Sequence, residues 1–410
     1  MNVYNAALNR IEEAIRGHDD FYVSFSGGKD SGVLVHLVIE VATRINRLPV
    51  KVVFSDLEVI FEETSRYVQS IMDRPDVEPY WLCLPEIENN ASSVFQRFFR
   101  YWGKQEQPWA RDMPTMPYVI NEDNIPDWLL PHYTNRTVNE WTITRFGEAL
   151  CDNTGVGSIV NFIGMRGDES YGRLMNVRTM KHRDKKNPHT YRYTKKEPRT
   201  WICLPIHDWH VADIWHYYAI KGYDYNRVYD SMHRMGIQPH EQRTCFAFGE
   251  EQSKTLYQWC VIEPETWDRM VTRVAGANFG KIYNHTRINS GKVRKPENIT
   301  WQEYTKILLS SLPDEARTLF EEKFAIVFRY HKHFYEVKEG IPPTIYIQDS
   351  RKDVKQLMED TGLPKKTFIT WETLASAIIK RDFVFKKYGF GYSQKMQRRI
   401  EAIYKEYGDL

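Results

Sequence analysis

The segment Ser26-Gly27-Gly28-Lys29-Asp30-Ser31 restricts the fold of this chain more than any other stretch. An apolar run, residues 21–25, precedes it, and residues 33–41, apolar on nearly every side, follow it. The pattern predicts a short buried strand, a tight turn and a buried helix, because two adjacent glycines let the backbone turn sharply. Such a turn brings peptide N–H groups against the start of a helix, where the dipole favours an anion. A phosphate-binding turn follows. Ser26 and Ser31 offer hydroxyl donors, and Lys29 offers a point charge that can follow negative charge building on a departing pyrophosphate. The segment is not a Walker A loop, which needs G-x-x-x-x-G-K-[ST].

The flanking pattern extends this unit into a sheet. Tyr4, Leu8, Ile11 and Ile15 recur at helical spacing, and residues 50–55, 80–84, 158–164 and 201–204 read as further strands with helical patterns between several of them. Strands alternating with helices predict an α/β domain with a mostly parallel sheet covered on both faces, over residues 1–235. Residues 86–153 carry Trp102, Trp109, Trp128 and Trp141 and several prolines without a clear period, and read as an insertion. From 236 to 410 helical signals dominate: Trp301, Tyr304, Ile307 and Leu308, then Ala316, Phe320, Phe324 and Val327. Ser350, with Asp353 three positions on, reads as an N-cap of a helix stopping at Gly362.

Composition narrows the class. At ~150 residues per domain, 410 residues allow two or three domains. With 42% apolar and 27% charged residues, the chain is neither a disordered tail nor a collagen-like repeat, and no apolar run approaches the ~20 residues of a membrane span. The first residues lack the pattern of a secretion signal, so a cytoplasmic address is expected. Five scattered cysteines, Cys83, Cys151, Cys203, Cys245 and Cys260, show neither C-x-x-C nor cluster spacing, so no disulfide framework and no iron–sulfur cluster are expected. His207, His210 and His216 fall near one another without an acidic or thiol partner to complete a zinc set. The net charge is only +2, yet residues 173–199 hold ten Lys/Arg against two acids, with Tyr191 and Tyr193 among them. That run suits nucleic acid, a lid over a nucleotide, or a solvated loop.

At this point the chain resembles a family. The serine-glycine-glycine turn is similar to the PP-loop of the adenine-nucleotide α-hydrolase superfamily, whose members cleave ATP between its α and β phosphates. Asp56 followed by Phe61-Glu62-Glu63-Thr64 resembles a motif of phosphoadenylyl-sulfate (PAPS) reductases and ATP sulfurylase small subunits. Gly164 to Arg173 resembles the G-x-R-x-x-E-S-x-x-R segment of the reductases. Pro205-Ile206-His207-Asp208-Trp209 with Asp213-Ile214-Trp215 resembles P-x-x-D-W-x-x-x-D-[VI]-W, and Asn226 and Tyr229-Asp230 continue it. A narrower resemblance, carried by Arg243-Thr244-Cys245 and Phe248-Gly249-Glu250-Glu251-Gln252, is to the IbrA/YbdN-like group, reductase-like proteins with a C-terminal domain of unknown function. Members of that group are often encoded beside a ParB-like partner, and related systems modify or defend DNA.

What the resemblance implies can be set beside the residues. Ser26 to Ser31, Asp56 and Arg166 each follow a predicted strand, and in open α/β sheets the ligand lies beyond those carboxyl ends. Arg166 and Arg173 suit phosphate or sulfate through the guanidinium fork, or pair with Asp168 and Glu169. Asp56 holds ribose or Mg²⁺, or caps the next helix. Asp30, Asp56 and Glu250 are the candidate Mg²⁺ contacts. Asp208 reads as a helix cap, Trp209 and Trp215 as core. The expected ligands are ATP and Mg²⁺, with Lys29 and Arg166 acting on the phosphates. The reductases carry a nucleophilic thiol in a C-terminal E-C-G-[LI]-H segment, whereas this chain has Glu406-Tyr407-Gly408-Asp409-Leu410. Cys245 is then a reactive thiol or a buried structural one. ATP cleavage at the α–β bond is the leading expectation. The alternatives are a sulfonucleotide reductase using a partner's thiols and a non-catalytic nucleotide-sensing subunit.

Overall fold

A computed structural model of the chain describes residues 2–93, 96, 98–133, 145–170, 173, 174, 177, 189–192, 197–244, 246–249, 256–278, 293–337, 340–361, 368–383 and 385. It divides into two compact units. One comprises Met1–Glu88, Phe98–Ala247 and Gln258–Arg273, the other Asn89–Arg97, Phe248–Tyr257 and Val274–Leu410.

The first unit is built on a seven-stranded sheet. Its strands are β1 (Asp20–Ser24), β2 (Val50–Ser55), β3 (Val77–Cys83), β6 (Val119–Asn121), β7 (Ile159–Ile163), β8 (Thr190–Tyr191) and β9 (Thr200–Cys203), while β4 (Glu86–Asn89) and β5 (Phe98–Tyr101) pair separately. The spatial order is β6-β3-β2-β1-β7-β9-β8, and every pairing is parallel except β8 with β9. Parallel strands buried on both faces read as almost continuous apolar runs, which is why five of the seven are visible in the sequence. The edge strands β6 and β8 are too short to leave such a signal.

Helices cover the sheet. α1 (Val3–Gly17) is capped by Asn2, whose side chain accepts the N–H of Asn5 at 2.9 Å, and it buries Leu8, Ile11 and Ile15 as their spacing predicts. α2 (Lys29–Arg44) buries twelve residues, so it is a core element rather than an amphipathic cover. At ~1.5–3 kcal/mol for each fully buried aliphatic side chain, this helix is the main tie between turn and sheet. α3 (Glu62–Met72), α5 (Val211–Lys221), α6 (Val228–Arg234), α7 (Tyr257–Ile262) and α8 (Pro264–Arg273) follow the strands. The stretch read as an insertion contributes β6 to the sheet, and its end forms most of α4 (Phe146–Thr154). Leu129, Phe146, Ala149 and Leu150 share one apolar cluster with Tyr22, Val53 and Leu82.

β2 lies on one side of β1 and β7 on the other, so chain direction across the sheet reverses beside β1. In open α/β sheets a ligand sits at such a point, beyond the carboxyl ends of the flanking strands, here β1 and β7.

The second unit is mainly helical, with α9 (Trp301–Ser310), α10 (Asp314–His331), α11 (Pro343–Tyr346), α12 (Arg351–Thr361) and α13 (Trp371–Ile379). Phe320, Phe324 and Val327 enter its core as expected, together with Tyr335, Tyr346, Leu374 and Ile378. Ser350 and Asp353 cap α12 reciprocally, Asp353 N–H to Ser350 Oγ at 3.3 Å and Ser350 N–H to Asp353 Oδ2 at 2.7 Å. Gly362, the expected stop, lies outside the described residues. On α9 the pattern misleads: Ile307 is exposed and Thr305 is the buried residue, its hydroxyl donating to the Trp301 carbonyl. A two-stranded parallel sheet of β10 (Ile347–Gln348) and β11 (Ile369–Thr370) has no sequence signal of its own. Among the described residues no helix is long and apolar enough to cross a membrane.

Candidate functional site

The glycine turn joins β1 to α2 at the sheet's switch point. Gly27 has φ +70°, a left-handed conformation, and a Cβ there would fall 2.7 Å from Thr64 Cγ2, so no other residue fits without strain. Gly28 is the N-cap of α2 and offers no side chain to the helix start. Hydroxyls lock the turn instead. Ser31 Oγ donates to the Gly28 carbonyl at 3.1 Å and accepts from Ser26 N–H at 3.2 Å and Ser26 Oγ at 2.9 Å. The two serines therefore shape the loop, and only Ser26 is exposed.

Residues some 200 positions away hold the turn from its other side. Asn226 Nδ2 donates to the Gly27 carbonyl and to Thr64 Oγ1, both at 2.8 Å. The Tyr229 hydroxyl accepts Lys29 N–H at 3.1 Å, and the Tyr218 hydroxyl donates to the Lys29 carbonyl at 2.9 Å. The Lys29 ammonium is buried. It donates to the Gln242 carbonyl at 2.9 Å, lies 4.7 Å from the Tyr229 ring centroid and 3.7 Å from Asp30 Oδ2. An ammonium has three protons, so this contact set leaves donor capacity for an anion.

Arg166, just beyond β7, reaches the same place. Its Nε donates to Asp30 Oδ1 at 2.5 Å, a second nitrogen pairs with Asp168, and Glu169 Oε1 lies 3.9 Å from a third. The arginine's fork is engaged by acids, the ion-pairing reading of it, at a position beyond the carboxyl end of β7. Arg173 pairs with Glu169, and Arg243 donates to the Glu169 carbonyl at 3.1 Å. Of the basic run, Arg192 stacks 4.2 Å from the Trp201 ring centroid and Arg199 pairs with Glu148 and Asp152. Residues 175, 176, 178–188 and 193–196 lie outside the described residues, as do Cys245 and Glu250.

Asp56 is placed differently. It is fully buried, with Oδ1 accepting Glu58 N–H at 2.9 Å and Oδ2 accepting Trp81 Nε1 at 2.8 Å while pairing with Arg111. Neither ribose nor a cation finds a free oxygen there. Nor does Asp56 cap the next helix, since Phe61 is the N-cap of α3. It belongs to a buried ion network. Glu58, at φ +63°, accepts the N–H groups of Trp102 at 3.0 Å and Ala110 at 2.9 Å and pairs with Arg273 at 3.2 Å. Burial pushes the Glu58 carboxyl up, and Arg273 with those N–H donors opposes the rise.

The remaining candidates settle into structure. Asp208 forms two 2.7 Å bonds to Arg10, and the cap of α5 is His210 with Asp213, not Asp208. Trp209 is buried, with its indole N–H on the Val3 carbonyl at 3.1 Å. Trp215 packs edge-on against Tyr225 and Tyr229. Glu63 pairs with Arg66 at the surface, and His207 Nδ1 lies 2.8 Å from the Leu204 carbonyl. Among the described residues no three His, Cys, Asp or Glu side chains gather as a metal site. Asp30, engaged by Arg166 and Lys29, and Asp56, saturated, do not fit Mg²⁺ as direct ligands. Burial pushes the Cys83 and Cys203 thiols up and that of Cys151 to about 12.

A parallel sheet with a glycine turn and paired cations at its switch point defines a class of PP-loop protein. The chain belongs to the phosphoadenosine phosphosulfate reductase domain family, whose model matches residues 20–236, and a domain of unknown function (DUF3440) matches residues 236–399. The uncharacterized protein YbdN of Escherichia coli is 30% identical over 425 residues, covering all of this chain and 97% of YbdN. Among solved structures, the PAPS reductase of Candida auris is similar at 12% identity and a TM-score of 0.30, over 55% of this chain and 84% of that one. The FMN adenylyltransferase of Candida glabrata is similar at 14% identity and a TM-score of 0.32, over 55% of this chain and 58% of that one. The match thus spans less than two thirds of the adenylyltransferase.

Several partners of the turn carry no local signal. Tyr218, Gln242 and Thr244 meet it only through the fold. Asn226 and Tyr229 stood out in the sequence solely as continuing a motif, with no role attached.

Proposed function

We propose that this chain binds an adenine nucleotide with its β and γ phosphates in the Ser26–Ser31 turn and cleaves ATP between the α and β phosphates. The observation that carries the reading is Gly27 at φ +70° closing the turn onto the start of α2, at the sheet's switch point, with Lys29 alongside. Peptide N–H groups and an ammonium there meet the charge that develops on a leaving pyrophosphate. An acceptor's oxygen or nitrogen attacks the α-phosphorus, the α–β bridging bond breaks, pyrophosphate leaves, and the acceptor's proton passes to solvent. Arg166 neutralises the α-phosphate after exchanging Asp30 or Asp168 for it. Mg²⁺ accompanies the phosphates in this proposal without a carboxylate ligand from Asp30 or Asp56. A ParB-like partner and a nucleic-acid-linked role in phage defence rest on the resemblance to the IbrA/YbdN-like group alone, and a cytoplasmic address on the pattern of the first residues.

The test is incubation with α-labelled ATP and Mg²⁺, with and without the genomic neighbour's product, reading pyrophosphate and labelled AMP or macromolecule. Lys29→Ala is expected to lower turnover by about 100-fold, the scale of losing one donor to the leaving group. Unchanged turnover in that variant contradicts the assignment.

The family match favours one second reading, reduction of a sulfonucleotide with a thiol from a partner; burial holds Cys83, Cys151 and Cys203 in the thiol form, and a thiolate is the nucleophile. Displacement of bound ATP by 3′-phosphoadenylyl sulfate, with adenosine bisphosphate released only when a thiol partner is added, favours that reading over ATP cleavage.

A further inference from the structure

The family model for the domain of unknown function begins at residue 236, yet the first compact unit runs on to Ala247. Gln242 to Thr244, between these two points, reach the turn and its partners. Lys29 Nζ donates to the Gln242 carbonyl, Arg243 donates to the Glu169 carbonyl beside Arg166, and Thr244 Oγ1 lies 3.2 Å from the Tyr229 hydroxyl that accepts Lys29 N–H. A Cβ placed on Gly28 would lie 3.3 Å from each of three hydroxyl oxygens, those of Ser26, Thr244 and Tyr229. Ser26 from the turn itself, and Tyr229 and Thr244 from about 200 residues away, thus bring three hydroxyls against Gly28. Tyr229 is buried, whereas Thr244 is only half-buried and Ser26 is exposed, so the rim of this ring is reachable from solvent.

We infer that Thr244 is a ligand-contacting residue of the phosphate site, and that the opening residues of the domain of unknown function, Gln242 to Thr244, form one wall of it. This rests on the nucleotide reading above and adds a contact that the glycine turn alone does not supply. Thr244 Oγ donates to a phosphate oxygen at the solvent-facing rim of the turn, on the side of Ser26. Tyr229 orients Thr244 and holds Lys29 N–H. Gln242 fixes the ammonium at the edge of the same space.

Calorimetric titration of the full chain with ATP, inorganic pyrophosphate and adenosine tests the assignment. Thr244→Val keeps the shape and removes the hydroxyl. It is expected to weaken ATP and pyrophosphate about tenfold, or ~1.4 kcal/mol, to leave adenosine unchanged, and to be rescued by Thr244→Ser. Equal binding by wild type and Thr244→Val overturns the inference while the nucleotide reading stands. Equal weakening of adenosine also overturns it, since the loss then comes from a displaced loop. Wild-type protein that binds neither ATP nor pyrophosphate overturns both.

Discussion

Asp30, in the first turn of α2 after β1, and Asp56, directly after β2, follow strands that are neighbours in the sheet. Their surroundings are opposite. Asp30 is half-buried and shares its oxygens with Arg166 and Lys29, cations that a phosphate can recruit away. Asp56 is sealed, its oxygens fixed by Arg111, the Trp81 indole and a peptide N–H, with Glu58, Arg273 and Trp102 behind them. Position at a strand end gives a residue the right address, but its partners decide whether it meets a ligand. The cluster around Asp30 is partly open to solvent, and the one around Asp56 is closed.

The largest effect that would break this contrast is at Asp56. Asp56→Ala strips half-buried Arg111 of its carboxylate, leaving it the Glu58 and Asp112 carbonyls, and leaves the buried Trp81 indole without an acceptor, so urea unfolding is expected to show a loss of ~3 kcal/mol, while ATP affinity of the folded fraction stays within about twofold. A stable variant that has lost ATP instead would move Asp56 back to the ligand.

Acid should act from the side of α2. His36 is buried on that helix, stacked 4.0 Å from the Tyr223 ring, and burial, with Arg74 adding, lowers its pKa to about 4. The unfolded value is ~6.5, so the native state prefers the neutral ring. Stability from this group is complete above pH ~6.5 and falls away as pH drops toward about 4, by up to ~3 kcal/mol. His36→Phe is expected to flatten that acid limb in unfolding curves measured from pH 7 to 4. Parallel limbs in the two proteins would remove His36 from the account.

A smaller loss is expected at Gly27→Ala, where a positive φ and the contact with Thr64 cost ~1–3 kcal/mol, and phosphate binding should fall with it. Smallest is the exposed Glu62–Arg66 pair on α3, where Glu62→Ala should shift stability by less than ~0.5 kcal/mol. A larger shift there would mean that surface pairing matters more in this unit than the contrast assumes.

Much of the first unit was legible because its signals are local. Strands β1, β2, β3, β7 and β9 are apolar runs, α2 is apolar all round, and a glycine pair between them has few uses. The short edge strands β6 and β8 lack enough residues to show a period, and α4 spans the boundary of the stretch read as an insertion. The site divides the same way. Ser26 to Ser31 announce the turn, and Arg166 sits in a motif. The groups that complete the turn, Asn226, Tyr229, Gln242 and Thr244, arrive from about 200 residues away, and no local pattern connects them. The partners of Asp56 were illegible for the same reason, because Arg111 and Trp81 reach it only through the fold.

The central claim is that the glycine turn holds phosphate oxygens, and amide spectra of the nitrogen-labelled protein titrated with pyrophosphate test it most directly. The account predicts shifts concentrated at the N–H groups of Gly27, Gly28, Lys29, Asp30 and Ser31, reduced in Lys29→Ala. Saturating pyrophosphate that leaves those five signals in place, or moves only amides elsewhere, would contradict it.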